Sequence, residues 1–498
     1  MTKYYLNPDY TLRPDGDRYL LSSHLLRKYE SDETKVFIHP IHAWILSLFS
    51  TGSSIKDAVN MIADELNISS SLSESYILPL IENKKGFVVR IQDARIHFPK
   101  NLILPENRII KQSDIQNIII SPPSEIEMVD LATKRHHTPY LMTFMLTNKC
   151  LTKCCYCYAD TDTKVNKYIS TDRILQIIRD AKKIGVYNIL LIGGEVFLHP
   201  DWDIILKEIV DNGYSPNIIS TKLPITSAII TKLVASGYKG KIQLSIDTFI
   251  PEIAEETLTV KGSYINKIIA GIKLLEQSNV RYKIETVLTK KTAVQDNIDK
   301  LYSILKQGKN IEGWEIRSAM FSHNKSERNF HEIKASKNDL IAIYEYIAKK
   351  IVPNASFPVI LPRPEHNKEY FIAENGSSSF KGARCSALNQ HLFVLPDGKC
   401  TICEQLYWNP YFIIGNLNHQ SIMEVWDSKR VHELLEIQQE SIQMSSPCHD
   451  CNLFKDCYKV HRNRCWSDVI KAYGADKWDY PDPRCNYAPE MTHNISYK

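Results

Sequence analysis

From about residue 139 to residue 319 the sequence alternates between short apolar runs and longer amphipathic ones. That alternation constrains the fold more than any other feature. The runs Leu141–Leu146, Ile189–Ile192, Pro216–Ile219, Ile242–Ile246, Tyr282–Leu288 and Trp314–Ala319 have the length and composition of buried strands. Between them, Asp172–Lys183, Trp202–Asn212, Ser227–Ser236, Tyr264–Ser278 and Val294–Gln307 carry apolar residues at helical spacing. Strand–helix repetition implies parallel strands joined by right-handed crossovers. Six such units are too few for the complete eightfold barrel. The expectation is an α/β fold built on an open, partial (β/α)6 barrel over residues 139–330, with its site where strand ends meet the loops that follow them.

Cysteine marks that end of the sheet. Cys150, Cys154, Cys155 and Cys157 fall just past the first strand, three of them spaced C-x3-C-x2-C. The chain has 12 cysteines, none before Cys150, none between Cys157 and Cys385, and the rest in its last quarter. Its N-terminus, Met-Thr-Lys-Tyr-Tyr-Leu-Asn-Pro-Asp, lacks the apolar core of a signal peptide, and no run approaches the ~20 apolar residues of a membrane span. A cytoplasmic location is expected, where cysteines more often bind metal than form disulfides. Three thiolates on one tight loop can hold three irons of a cubane cluster and leave the fourth iron without a protein ligand. A structural zinc site, the alternative, wants four ligands. Cys155 reads as an adjacent buried thiol.

The C-x3-C-x2-C loop, with aromatic Tyr156 before its last cysteine, resembles the signature of the radical S-adenosylmethionine (SAM) superfamily. The resemblance implies that Cys150, Cys154 and Cys157 hold a 4Fe–4S cluster whose open iron chelates SAM. Reductive cleavage of SAM then yields a 5′-deoxyadenosyl radical that takes hydrogen from the substrate. Gly193-Gly194-Glu195 after the second strand resembles the family's G-G-E motif, whose backbone and carboxylate hold the SAM ammonium. Ser220-Thr221 and Ser245-Ile246-Asp247 match positions lining the SAM ribose and methionine, and Arg317, ending the sixth strand, is the candidate for the SAM carboxylate. Lys222 departs from the usual asparagine after Thr221, and Val196 from the common proline after Glu195.

The tail, residues 385–498, is similar to the SPASM extension of such enzymes. The resemblance rests on Cys385, Gly398, Cys403, Gly415-Asn416-Leu417, Met423-Glu424-Val425-Trp426, Cys448-x2-Cys451-x5-Cys457, Cys465 and Cys485. It implies two auxiliary 4Fe–4S clusters, three clusters in all. Cys448, Cys451, Cys457 and Cys485 would hold the distal one, and Cys385, Cys403 and Cys465 the one nearer the barrel. Between Cys457 and Cys465 the chain has more residues than the family's usual spacing, and His461 stands where the family's cysteine falls, a second choice to Cys465. Cys400 has no family counterpart; it either supplies a fourth ligand to the nearer cluster or leaves that iron open. Zinc ribbons, in which C-x2-C is frequent, are the competing reading.

Residues 1–92 predict a small winged-helix-like domain. Tyr5–Leu12 and Arg18–Leu21 flank the turn signal Pro14-Asp15-Gly16-Asp17, Lys35–Ile38 offers a third strand, and Gly86–Val89 a closing one. Ile41–Phe49, Ile55–Leu66 with Ser53 or Ser54 as N-cap, and Ser73–Asn83 have helical patterns. With His39-Pro40 and Gly52-x-Ser54-Ile55, this region resembles PqqD-like elements that bind the leader of a precursor peptide. Residues 93–138 read as a linker, and 331–384 as a bridge with one helix, Leu340–Ile351. A net charge of +4, spread along the chain, gives no footprint for nucleic acid.

Domain order and the phrase Gly193-Gly194-Glu195-Val196-Phe197-Leu198-His199-Pro200 resemble sactipeptide-type peptide maturases, the subtilosin maturase among them. The resemblance implies a Cys thioether crosslink in a ribosomally made peptide, with a flavodoxin- or ferredoxin-type reductant. Carbon–carbon or ether crosslinking, an anaerobic sulfatase-maturing-type activity and a non-catalytic zinc-stabilised peptide-binding scaffold are the alternatives. No general base stands out.

Overall fold

The computed structural model describes residues 2–23, 35–81, 83–91, 94–109, 117–123, 127–133, 135–323, 327–362, 370–372, 378–380, 385–460 and 464–493. It divides into two compact units, Met1–Thr138 with Lys183–Tyr187, and Pro139–Lys182 with Asn188–Lys498.

In the first unit, β1 (Tyr4–Leu6) is followed by β2 (Tyr10–Asp15), β3 (Arg18–Ser23) and β4 (Lys35–Ile38). Then come α1 (Pro40–Ser47), α2 (Ile55–Leu66), α3 (Ser70–Ile77), β5 (Phe87–Ile91), β6 (Ala94–Phe98) and β7 (Ile103–Pro105). β2, β3 and β4 form an antiparallel sheet whose first turn uses Gly16 at φ +69°. Ser54 caps α2, its hydroxyl accepting the Asp57 N–H at 3.1 Å. Leu21, Ile38, Trp44, Phe49 and Ile62 form the core beneath.

The expected linker over 93–138 does not hold. Residues in it form β6 and β7, and Ile96, Phe98, Leu102 and Ile103 join the same core. β7 pairs with β1, so strands distant in sequence close the unit. Arg18, fully buried, pairs with Asp15 at 2.9 Å and donates to the carbonyls of Asp130 and Thr133 at 2.6 and 2.9 Å. That clamp holds the 130s onto the hairpin.

The second unit begins β8 (Leu141–Met145), α4 (Thr171–Lys183), β9 (Asn188–Ile192), α5 (Trp202–Asp211), β10 (Ile218–Thr221) and α6 (Ser227–Ala235). It continues through β11 (Lys241–Ser245), α7 (Pro251–Leu258), α8 (Ser263–Gln277), β12 (Tyr282–Leu288), α9 (Gln295–Leu305) and β13 (Ile311–Ser318). β8 pairs parallel with β9, and β10 to β13 pair parallel in chain order. β9 and β10 are neighbours without a ladder among the described residues.

Two further parallel strands come from regions expected to lie outside the barrel. After α10 (Glu327–Ile333) and α11 (Lys337–Tyr346), β14 (Val359–Ile360) pairs with β13. Past the short hairpin of β15 (Tyr370–Ile372) and β16 (Ser378–Phe380), β17 (His391–Val394) pairs with the free edge of β8. The tail is completed by β18 (Lys399–Thr401), β19 (Ile413–Asn416), α12 (Ile422–Trp426), α13 (Lys429–Leu435) and α14 (Trp466–Tyr473). An edge strand leaves its N–H and C=O groups unpaired, and here both edges of the expected barrel are extended. The result is two five-stranded sheets rather than one closed ring. Among the described residues no helix is long and apolar enough to cross a membrane.

Candidate active site

The cysteine loop follows β8 and is held from three sides. Its start lies on the turn after β9: Gly194 N–H donates to the Thr147 carbonyl at 2.7 Å and Glu195 N–H to that of Lys149 at 2.8 Å. A Cβ on Gly194 would stand 2.5 Å from the Lys149 oxygen and 2.6 Å from that of Asn148. The glycine pair therefore permits the close approach of one loop to another. On the other side, Lys153 and Cys155 donate their backbone N–H to Leu258 and Thr257, each at 2.9 Å, at the end of α7. Within the loop, the Thr152 hydroxyl lies 3.5 Å from Cys150 Sγ and 3.3 Å from Cys154 Sγ. Cys157 N–H closes the turn on the Cys154 carbonyl at 3.1 Å.

The third support is a buried charge cluster. Lys222 Nζ donates to Asp247 Oδ2 at 2.9 Å and to the Ser245 carbonyl at 2.8 Å, and lies 5.7 Å from the centre of the Tyr156 ring. Asp247 also accepts the Tyr156 hydroxyl, and the Val287 N–H at 2.9 Å. Burial opposes the charge of Lys222, but Asp247 and the Cys154 thiol outweigh it, and its pKa rises. Burial likewise pushes the Cys154 thiol up, with Lys222 pulling against it. The residue that departs from the family's asparagine is thus a cation fixed under the cysteine loop.

Several expected SAM contacts are engaged otherwise. Glu195 is 2% exposed; its carboxylate accepts the Thr221 hydroxyl at 2.8 Å and the N–H groups of Lys222, Leu223 and Phe197 at 3.0, 3.2 and 3.3 Å. An ionised carboxylate has about four lone-pair sites, and these donors fill them. Burial raises the Glu195 pKa, and the donors only partly offset it. Glu195, Thr221 and Asp247 therefore position loops rather than present free polar groups. Arg317 is 56% exposed, with Nη2 at 2.6 Å from Glu315 and Nε at 3.9 Å from Glu285, so neighbouring strands claim its charge.

What does face outward is a polar surface on β10 to β13. Ser220 and Ser245 lie 3.3 Å apart, with Gln243 donating to Ser220 at 3.0 Å. Lys283 bonds Glu315 at 2.9 Å on the same surface. The opposite face of these strands, Ile219, Ile242, Leu244, Ile284 and Ile316, is buried.

In the tail the thiols fall into two groups. Cys465 feels the charges of Cys385 and Cys403, and Cys403 feels that of Cys385. Cys448, Cys451, Cys457 and Cys485 line one pocket together. Burial pushes Cys403 and Cys457 up to about 12. Cys400 stands apart: inside β18, fully buried, its Sγ lies 3.8 Å from the Gly398 carbonyl. Its side chain belongs to the core, so the structure does not bring it to the nearer group as a fourth ligand. His461 lies outside the described residues. Tyr158 and Tyr407 each feel the charges of Cys157 and Cys403, and Tyr407 donates its hydroxyl to the Tyr158 carbonyl.

The thiol sets fit iron–sulfur clusters: four thiols around one pocket, three more within electrostatic reach, and three on a loop pinned at its start, middle and end. For the zinc readings, no three or more His, Cys, Asp or Glu side chains among the described residues gather closely enough for a single ion. The sequence reading missed the supporting parts, namely α7, the Lys222–Asp247–Tyr156 cluster and Arg464 in the wall of the four-thiol pocket. For Lys222 a signal existed in its departure from the usual asparagine.

Comparison with known proteins agrees with this geometry. Residues 144–297 match the model of the Radical SAM superfamily, and residues 385–452 that of the SPASM iron–sulfur cluster-binding domain. The chain is an enzyme of the radical SAM superfamily that carries a SPASM domain. The first domain implies SAM and a 4Fe–4S cluster, the second further iron–sulfur.

In sequence the chain is similar to the GTP 3′,8-cyclase of Nautilia profundicola, 26% identical over 237 residues, which cover 46% of this chain and 69% of that protein. It is also similar to a probable GTP 3′,8-cyclase of Methanothermobacter marburgensis, 23% identical over 63% of this chain and 97% of that one. Of the probable GTP 3′,8-cyclase of Methanocaldococcus jannaschii it spans 42%, at 29% identity over 26% of this chain.

In structure it is similar to SuiB of Streptococcus suis bound to SAM, with TM-score 0.59 and 16% identity over 97% of this chain and 100% of that one. SuiB bound to the precursor peptide SuiA gives TM-score 0.57 and 16% identity over 96% and 98% of the two chains. These structural likenesses establish a shared fold.

Proposed function

We propose that this enzyme is a maturase that installs an intramolecular crosslink, a Cys thioether, in a ribosomally made precursor peptide. The observation that carries the reading is the folded unit ahead of the radical SAM domain. In its β2-β3-β4 sheet, β4 is an edge strand. An extended leader can add a strand to such an edge, with main-chain hydrogen bonds giving affinity. Support also comes from likeness to SuiB over nearly the whole chain, since SuiB is described bound to a precursor peptide.

In this reading Cys150, Cys154 and Cys157 hold the first cluster. Cys448, Cys451, Cys457 and Cys485 hold a distal auxiliary cluster, and Cys385, Cys403 and Cys465 a nearer one. SAM and the first cluster, when bound, would supply the radical chemistry that removes hydrogen from the acceptor carbon. The chain's own residues do the rest. The turn at Gly193-Gly194, α7 and the Lys222–Asp247 pair fix the cysteine loop, and Ser220, Gln243 and Ser245 offer hydrogen bonds on the polar face. Closing the carbon–sulfur bond releases the thiol proton and one electron. Tyr158 and Tyr407 feel the charges of both Cys157 and Cys403; a cluster held by Cys385, Cys403 and Cys465 would accept that electron, and a flavodoxin- or ferredoxin-type protein would serve as the reductant.

A GTP cyclase is the second reading, favoured by the sequence relatives. The Methanothermobacter protein aligns over 97% of its length yet leaves more than a third of this chain without a counterpart. Anaerobic incubation with SAM and reductant, with either GTP or a Cys-containing precursor encoded beside the gene, separates the two. The proposal expects 5′-deoxyadenosine and a peptide lighter by two hydrogens per crosslink. GTP consumption with an unchanged peptide refutes it.

A further inference from the structure

Arg464 precedes Cys465 and is 8% exposed, buried in the wall of the four-thiol pocket. Its guanidinium lies over the Tyr458 ring, 4.3 Å from the centre. Nη1 donates to the Tyr458 hydroxyl and Nη2 to Cys448 Sγ, both at 3.4 Å. A guanidinium has five N–H donors and stays charged in proteins. Burying such a charge is costly unless an anion answers it. Asp479, the nearby carboxylate, is already held by Gln443, which donates its backbone N–H at 2.6 Å and its side-chain amide at 3.0 Å. Its field takes in Tyr458, Asp479 and the sulfurs of Cys448 and Cys457, and Cys448 is the sulfur it bonds. Arg464 and Cys457 also line the adjoining pocket that contains Cys385, so the arginine stands in the partition between the two tail groups.

We propose that Arg464 is the built-in counter-cation of the distal auxiliary cluster, and that its N–H bond to the Cys448 thiolate raises that cluster's reduction potential. The proposal rests on the reading that Cys448, Cys451, Cys457 and Cys485 ligate a 4Fe–4S cluster. Cluster potentials depend on net charge, hydrogen bonds to sulfur and solvent exposure. A fixed positive charge beside a ligand sulfur stabilises the reduced, more negative state. Around the nearer group the balance differs, because Arg484 pairs with Asp468 and Asp482 at 3.1 and 2.7 Å beside Cys465.

The test uses the full chain, reconstituted anaerobically, with Cys150, Cys154 and Cys157 changed to Ala so that the auxiliary clusters are seen alone. Iron is counted, and both midpoints are measured by titration monitored with electron paramagnetic resonance. In R464Q one midpoint is expected to fall by at least a tenfold change in oxidised-to-reduced ratio, about 59 mV for a one-electron couple. The other midpoint falls less, and R464K shows a smaller fall at both. Loss of distal iron in R464Q but not in R464K also supports a counter-cation. An unchanged midpoint in R464Q with full iron overturns the proposal, as does equal iron loss in R464Q and R464K. A parent chain that binds no auxiliary iron overturns the ligand reading, and the arginine's role with it.

Discussion

Changing Asp247 to Asn tests whether a buried ion pair holds the cysteine loop. Lys222 is 12% exposed and Asp247 0%. In D247N the ammonium keeps the Ser245 carbonyl at 2.8 Å but loses the carboxylate at 2.9 Å. Removing one partner of a buried pair leaves an uncompensated charge and costs about 3–5 kcal/mol. The reverse change, K222M, leaves Asp247 with the Tyr156 hydroxyl and the Val287 N–H. Asp247 is then a buried charge without its cation, so the cost falls in the same range of about 3–5 kcal/mol. K222M/D247N removes both charges, so its loss falls short of the sum of the singles by about 0.5–3 kcal/mol. The assay is urea unfolding of the iron-free chain under reducing conditions. Trp314 serves as reporter, since its indole donates to Thr286, adjacent to Val287 on β12, at 2.9 Å. A D247N loss below about 1 kcal/mol, or a double mutant equal to the sum, refutes the reasoning.

Two further outcomes follow from the geometry. G194A places a methyl group 2.5 Å from the Lys149 carbonyl oxygen, so the cysteine loop must shift. Iron in the first cluster and SAM affinity are expected to fall at least tenfold by iron counting and equilibrium dialysis, while auxiliary iron stays; unchanged SAM affinity contradicts the packing argument. Asp15 is held at about 2, because His136, the His137 N–H and Arg18 outweigh the upward push of burial. A carboxylate with a folded value below its unfolded one contributes stability above the unfolded value and loses it as pH falls through the folded one. The shift from 3.8 to about 2 corresponds to about 2 kcal/mol, present above about pH 4 and gone near pH 2. Urea midpoints of the first unit should decline across that window in the parent and stay flatter in D15N. Equal slopes assign the acid sensitivity elsewhere.

How much of this was legible in the sequence depended on whether the signal was local. Tyr282–Leu288 was read residue for residue because its alternation and length belong to one segment. The other barrel strands were displaced by only a few residues for the same reason. α7 escaped notice because eight residues starting at Pro251 make too short a periodic run, yet its end carries two hydrogen bonds to the cysteine loop. β6 and β7 were hidden in a proline-bearing stretch, where Ile96 and Phe98 find their partners only across the fold. The polar residues mark the sharper limit. Glu195 and Asp247 sit where the family pattern expects them, but a sequence does not show which donors will saturate a carboxylate. Here backbone N–H groups after β10, the Thr221 hydroxyl, and a lysine in place of the usual asparagine turn both inward.

The same blindness hid the buried cations, and their arrangement carries an electrostatic logic. Under the proposed ligand assignment each thiol set has one. Lys222 lies within the field of Cys154, Lys471 within that of Cys403 and Cys465, and Arg464 at 3.4 Å from Cys448. A thiolate-bound cluster is an anion, and in a low-dielectric interior an anion needs compensation. The three cations differ in how much charge they have left to give. Asp247 already neutralises Lys222. Burial presses the Lys471 pKa down against the pull of Asp468 and the thiols, and its ammonium donates to the Gln405 side-chain oxygen at 2.5 Å rather than to a sulfur. Only Arg464 combines a charge that cannot be titrated away with a direct bond to a ligand sulfur. Compensation is therefore most direct at the distal set, where the guanidinium bonds the Cys448 sulfur itself.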